Sequence, residues 1–186
     1  MPGTTLPGVL SLALLPAQAA AAAETPSGEY AVKAVFLMNF TRFVEWPAEA
    51  FRDERSPLVI GVLGEDPFGK LLDAATDRKK ADQRKIEVLR FKTLAELQPC
   101  HVLFISDSEK ERRTEIQKSL SDKPVLTVSE ISDFSEKEGM IQFVMVENKV
   151  RLWINVENAK GAKLKIKSNL LRIARVLPER KPKGEE

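Results

Sequence analysis

The chain has 186 residues, 43% of them hydrophobic and 30% charged, with 29 Lys and Arg against 27 Asp and Glu. That balance excludes a disordered chain, a collagen-like repeat and a disulfide scaffold, and it fits a single globular domain. One cysteine, Cys100, forms no internal bridge, and one histidine, His101, excludes His-rich metal sites and most Ser-His-Asp schemes.

Residues 1–23 carry no charged side chain. An apolar run, Val9-Leu10-Ser11-Leu12-Ala13-Leu14-Leu15, precedes Pro16 and the small-x-small triplet Ala17-Gln18-Ala19. This reads as a cleaved secretory signal, with an Ala-rich leader on a cytosolic protein as the other reading. Neither this run nor any later segment reaches the roughly 20 apolar residues of a membrane span.

Residues 30–46 are expected to form a helix. Val32, Val35, Phe36, Phe40, Phe43 and Val44 keep helical spacing, while Lys33, Thr41, Arg42 and Glu45 mark the wet side. Leu37 and Met38 widen the apolar arc, so part of this helix is expected to meet a second layer or a partner. Pro47 stops it.

Leu58-Val59-Ile60-Gly61-Val62-Leu63 is apolar without alternation, the mark of a strand covered on both faces. Asp66 and Pro67 are expected to start a helix reaching about residue 76, and residues 77–85 form a loop with seven charges. A second strand follows at 86–91. Thr93-Leu94-Ala95-Glu96 has the capping-box pattern for a short helix. Residues 100–105 form a third strand, and Ser106-Asp107-Ser108-Glu109 is a second capping box, opening a helix to about 120. Residues 123–128 form a fourth strand. Two β-rich runs, 140–146 and 150–155, flank Glu147-Asn148-Lys149 as a hairpin. A helical turn is expected at 156–162, then a last helix capped by Ser168 with Leu170, Leu171, Ala174 and Leu177 on one face. Residues 178–186 read as a disordered charged tail. The fold class expected is α/β: a Rossmann-like, doubly wound, mostly parallel sheet over 24–177, with a C-terminal antiparallel hairpin at one edge.

Charge is uneven. Residues 149–186 hold eleven basic and four acidic groups, net +7, and the remainder is net −5. A solvated helix face and charged tail account for this; an acidic partner or an anionic membrane surface is the alternative. Aromatics are not interleaved with these charges, so nucleic acid is not an expected partner.

Chemical motifs are few. Gly64-Glu65-Asp66-Pro67-Phe68-Gly69-Lys70 follows a P-loop for seven positions, but Leu71 stands where Ser or Thr would hold magnesium. Two carboxylates in the loop also repel phosphate. Glu65, Asp66, Asp107, Thr127 and Ser129 imitate a phospho-receiver, without the lysine after a fifth parallel strand. Cys100 and His101 are strand neighbours, which point to opposite faces, so they form no dyad. No enzyme, cofactor or metal is expected. In doubly wound sheets ligands sit beyond the carboxyl ends of the strands, a rim that holds Gly64, Glu65, Ser106 and Ser129. Phe36, Phe40, Phe43, Trp46 and Trp153 are the candidate interface aromatics.

The blocks Val32-Lys33-Ala34-Val35-Phe36-Leu37-Met38-Asn39-Phe40, Phe43-Val44-Glu45-Trp46-Pro47 and Ile60-Gly61-Val62-Leu63-Gly64-Glu65-Asp66-Pro67-Phe68-Gly69 occur in order. They are followed by Val102-Leu103-Phe104-Ile105-Ser106 and Gly139-Met140-Ile141-Gln142-Phe143-Val144. Asn155, Ala159, Gly161, Leu164-Lys165-Ile166 and Ser168-Asn169-Leu170-Leu171 complete the set. Together they resemble the YfiR-type, HmsC-like periplasmic proteins, which are repressors of membrane-bound diguanylate cyclases. The resemblance implies a periplasmic, non-enzymatic module that dimerises, binds the periplasmic sensor domain of an inner-membrane diguanylate cyclase and holds it inactive. The alternative is a small-ligand receptor, or an adaptor for another membrane sensor such as a histidine kinase. The family's repressor has cysteine pairs linked to redox control; with Cys100 alone, this chain has no internal thiol–disulfide gate.

Overall fold

A computed structural model describes residues 26–177. The expected signal at 1–23 and the expected tail at 178–186 lie outside the described residues.

Helix α1 (Pro26–Phe43) begins on a proline, which suits a first helical position, and keeps Glu29 in its first turn and Arg42 in its last. It ends three residues earlier than the apolar spacing predicts. Val44–Glu45 leaves the helix to form strand β1, paired antiparallel with β9 (Lys165–Ile166), and the Lys167 amide takes the Phe43 carbonyl at 2.8 Å.

The main sheet is built on β2 (Leu58–Leu63), the continuous apolar run, buried at every residue. Strands β4 (Arg84–Phe91) and β5 (Val102–Ile105) flank it, and β6 (Leu126–Ser129) and β7 (Ile141–Val146) extend the parallel set. The two-residue β3 (Lys80–Ala81) pairs antiparallel with β4, inside the region expected as loop. α2 (Lys70–Thr76) connects β2 to the β3–β4 unit. After β5 the chain makes a 3-10 stretch, Asp107–Arg112, before α3 (Arg113–Ser119). The result is a mixed α/β fold with a mainly parallel central sheet.

The hairpin is present: β7 turns through Glu147 and Asn148, both at positive φ (49° and 56°), into antiparallel β8 (Lys149–Asn155). That pair of left-handed residues is the tight-turn geometry that matches strand twist. Its placement needs correction. It is not the sheet edge, because β10 (Ala174–Leu177) lies outside it, parallel to β8. The last helix, α5, is only Ser168–Leu171, and its cap position is Lys167 rather than Ser168. Leu170 and Leu177 are buried in either arrangement, so their spacing alone does not separate helix from strand.

Capping differs from expectation elsewhere. Asp66 Oδ1 accepts from the Phe68 amide at 2.8 Å, but α2 starts only at Lys70. Ser106 makes no side-chain cap. At the first box, Glu96 accepts from the Lys92 amide and the Thr93 hydroxyl, and the helix is a single 3-10 turn, Leu94–Glu96. The cap that does form was not foreseen: Asn155 Oδ1 accepts from the Asn158 amide at 3.0 Å and opens α4 (Val156–Gly161).

Alternate strand residues feed two cores, as a period of two requires. Val62 and Phe104 join Leu37 and Phe40 of α1 on one face, while Leu63 and Ile105 join Ile116 and Phe134 on the other. The α1 stripe is rotated from its expected position. Ala34, Leu37, Phe40 and Val44 are buried, whereas Val32 and Val35 are each 46% exposed. Lys33 and Thr41, expected on the wet side, are buried. Thr41 manages this by donating to the Met38 carbonyl at 2.6 Å.

Candidate functional site

The four rim residues share one end of the sheet but do not line one pocket together: Gly64 and Glu65 border a cleft of about 590 Å³ with Asp66, Arg90, Phe91 and Ser108, and Ser106 and Ser129 do not. Gly64 follows β2 at φ +90°, and a Cβ there would come within 2.4 Å of Ser108 Oγ. The Glu65 amide donates to the same Ser108 oxygen at 3.0 Å. The loops after β2 and β5 therefore meet where the strand order reverses, the usual place of a ligand crevice. Ser106 is buried, its amide donating to the Leu63 carbonyl. Ser129 is fully buried; its hydroxyl donates to the Ile105 carbonyl at 2.7 Å and accepts from the Ile131 amide at 3.1 Å. Glu65 alone of the four is exposed. Arg90 clamps the adjoining loop, reaching Asp66 at 2.6 Å, Asp73 at 2.8 Å and the Gly69 carbonyl at 2.9 Å.

A polar cluster that the sequence reading missed lies farther along the same rim. The Lys33 ammonium, 2% exposed, sits between the carboxylates of Glu29 and Glu130 and 4.6 Å from the Tyr30 ring centre. The Tyr30 hydroxyl donates to Glu130 at 3.1 Å, and burial, then the Glu130 charge, pushes its pKa up to about 12. The Glu29–Lys33 spacing of four is a helix-pair signal. Glu130 carries none, being 97 residues from Lys33. Beside the cluster runs a cleft bordered by Asp107, Gln142, Phe143 and Met145.

His101 is structural. The Val59 amide can only donate, so Nδ1 accepts its hydrogen at 3.0 Å, and Nε2 then carries the proton and donates to the Ala50 carbonyl at 3.1 Å. Phe51 stacks on the ring at 4.5 Å, with the Arg84 guanidinium 3.9 Å beyond. Burial lowers the His101 pKa, opposed by the Ala50 contact and aided by Arg84. Burial pushes the Cys100 thiol up to about 12. Among the described residues no group of three or more His, Cys, Asp or Glu is placed to hold a metal ion.

The interface aromatics separate. Phe40 is fully buried, its ring packed against both Phe36 and Phe143 at 6.2 and 6.1 Å, so it lies in the core and presents no surface. Phe36 and Phe43 are half-buried against the same core. Trp46 packs edge-on to His101 and donates to its carbonyl at 3.2 Å. Trp153 lies on the opposite sheet face from Leu152 and Ile154, under the Arg175 guanidinium at 4.6 Å.

What the surface does expose is aliphatic. Val32 and Val35 of α1 stand beside Phe36, which touches Phe143 of β7 at 6.1 Å. Two residues on, along the same side of β7, Met145 is 44% exposed at the hairpin tip and pairs with half-buried Val150. Exposed apolar side chains thus lie on the first half of α1 and at the tip of the β7–β8 hairpin, with the cleft lined by Glu29 and Lys33 beside Met145. Among the described residues no helix is long and apolar enough to cross a membrane. A family model described as YfiR/HmsC-like matches residues 30–175. No curated protein matches the chain.

Proposed function

The chain belongs to the YfiR/HmsC-like family, and from that premise we propose that it is a periplasmic, non-enzymatic regulator. It binds the periplasmic sensor domain of an inner-membrane diguanylate cyclase and holds that domain inactive, lowering cyclic-di-GMP output. The observation that supports this reading is the set of exposed apolar side chains Val32, Val35 and Met145 beside half-buried Phe36, whose exposure costs free energy in water that a covering partner recovers. At the expected ligand rim, Gly64 and Glu65 border a cleft of about 590 Å³, while Ser106 and Ser129 are buried and do not line it. A receptor at that rim would use only Gly64 and Glu65 of the four residues expected there, so partner binding at the exposed apolar side chains is the reading we favour.

The mechanism is mass action. A protein that captures one state of a sensor domain shifts it only by its differential affinity for the two states. Moving a sensor from 1:99 to 99:1 takes about 5.5 kcal/mol. An interface of roughly 1,600 Å² supplies that when a few anchors are well buried. The same face closing on a second copy gives the homodimer expected of the family.

Calorimetric titration of residues 24–186 with the periplasmic domain of a membrane diguanylate cyclase from the same cell tests this. Micromolar or tighter binding is expected, weakened by about tenfold or more in a Val35→Glu, Met145→Glu double variant. Absence of binding by the unaltered chain, in both reduced and oxidised buffer, removes the cyclase as partner.

A further inference from the structure

At the other end of the sheet, where the parallel strands begin, lies a cleft of about 340 Å³. It opens between the 3-10 turn Ala48–Ala50, the segment 97–100 leading into β5 and the segment 120–125 leading into β6. Its walls are apolar: Leu97, Pro99, Cys100, Leu120, Pro124 and Val125. One wall is fixed in place, because His101 Nε2 holds the Ala50 carbonyl and Phe51 stacks on the imidazole. The cleft is therefore formed before anything enters it.

Three polar side chains reach the mouth: Glu49, Gln98 and Lys123. Glu49 is already balanced by Lys163 at 3.4 Å. Its carboxyl is held below the usual carboxylate range by its own backbone amide and then by Lys163, so it stays ionised and paired. Lys123 is exposed and has no ion-pair partner among the described residues. Lys123 lines the same cleft as Cys100, Leu120 and Val125. An apolar slot with one uncompensated cation at its mouth selects a molecule with an oily body and a single negative end. Neutral oils leave the ammonium unused, and amines meet like charge.

We propose that this cleft binds a small amphiphilic carboxylate, its apolar body against Leu97, Cys100, Leu120 and Val125 and its carboxylate on the Lys123 ammonium. A volume near the lower end of the roughly 300–1,000 Å³ typical of ligand sites restricts it to a medium-chain fatty acid or an aryl carboxylate. The site is independent of the proposed partner face: it lies at the amino ends of β5 and β6, whereas the hairpin tip lies beyond the carboxyl end of β7.

The test uses the chain alone. Octanoate and 3-phenylpropanoate are titrated as the two acid sources, with octylamine and octanol as controls, followed by thermal shift and by amide NMR. At least one acid is expected to raise the melting temperature saturably and to move the Leu97, Lys123 and Val125 amide signals. Lys123→Glu and Lys123→Gln are expected to weaken that binding by about tenfold, the scale of one charge-assisted contact, while the melting temperature of the free protein stays unchanged. The proposal is overturned if neither acid saturates, if octylamine or octanol binds as well as the better acid, or if both Lys123 variants keep the affinity.

Discussion

His101, expected to form no dyad with Cys100, holds a loop in place. Its neutral ring both accepts from Val59 and donates to Ala50, and an imidazolium cannot accept. Protonation must therefore break the Val59 contact, next to an Arg84 guanidinium that also opposes the added charge. The folded pKa lies below the ordinary 6.5, so the unfolded chain binds the proton more readily. Stability is complete above 6.5 and is lost as the pH falls through the folded value, at no more than about 1.4 kcal/mol per pH unit. Urea unfolding between pH 7 and 5 should show this slope, and His101→Asn, which keeps an acceptor for Val59, should be less stable at pH 7 with a flatter profile. An equal slope in the variant would assign the pH dependence to other groups. Lys33 is the second such residue. Lys33→Ala leaves two carboxylates facing each other in a mostly buried site, and about 3 kcal/mol of stability should go with it, the low end for breaking a buried pair because Glu130 keeps some exposure. Lys33→Met combined with Glu130→Gln should recover most of that loss in denaturant titrations.

Among the elements, strands were the most legible. β2 matches its apolar run residue for residue, because a strand covered on both faces needs no polar partner and writes its burial directly into composition. The α1 axis was legible, but its rotation was not. The helix is apolar over so wide an arc that several stripes compete, and the choice was made by Glu130, which neutralises Lys33 from a distant loop. β10 was hidden for a related reason: Leu170 and Leu177 satisfy a helical stripe, yet Ile173 between them is 60% exposed and the backbone extends to join β8. The candidate rim was legible as a location only, since no pattern announces that Gly64 meets Ser108. The rotation of α1 divides its aromatics and valines into two classes. Phe40→Ala should cost roughly 3–5 kcal/mol, because the ring is fully enclosed. Val35→Glu should stay within about 0.5 kcal/mol of the parent and lower association with partner or second copy. If Val35→Glu unfolds the domain while Phe40→Ala does not, the rotation is the reverse of that described.

For the whole molecule, the two ends of the sheet have different resources. The carboxyl end carries the cleft beside Gly64 and Glu65, the Arg90 and Lys33 charge clamps, and the exposed apolar side chains of α1 and the hairpin. The amino end carries the His101 stack and the cleft over Cys100. The partner capture proposed above needs no internal disulfide. Cys100 is the one cysteine of the chain, 7% exposed, and burial keeps its thiol protonated up to about pH 12. The thiolate, not the thiol, attacks disulfides and oxidants, so this sulfur is slow to react in the native state. The melting temperature and the self-association constant should accordingly be the same with reductant and with oxidised glutathione, and Cys100→Ser should leave the response to oxidant unchanged while lowering stability slightly by placing a hydroxyl in the apolar wall. Sedimentation velocity and thermal melts in the two buffers measure both quantities. A dimer that appears only in the oxidised sample and vanishes in Cys100→Ser would mean that the second core opens often enough to expose the thiol, and that redox control acts here through two chains rather than within one.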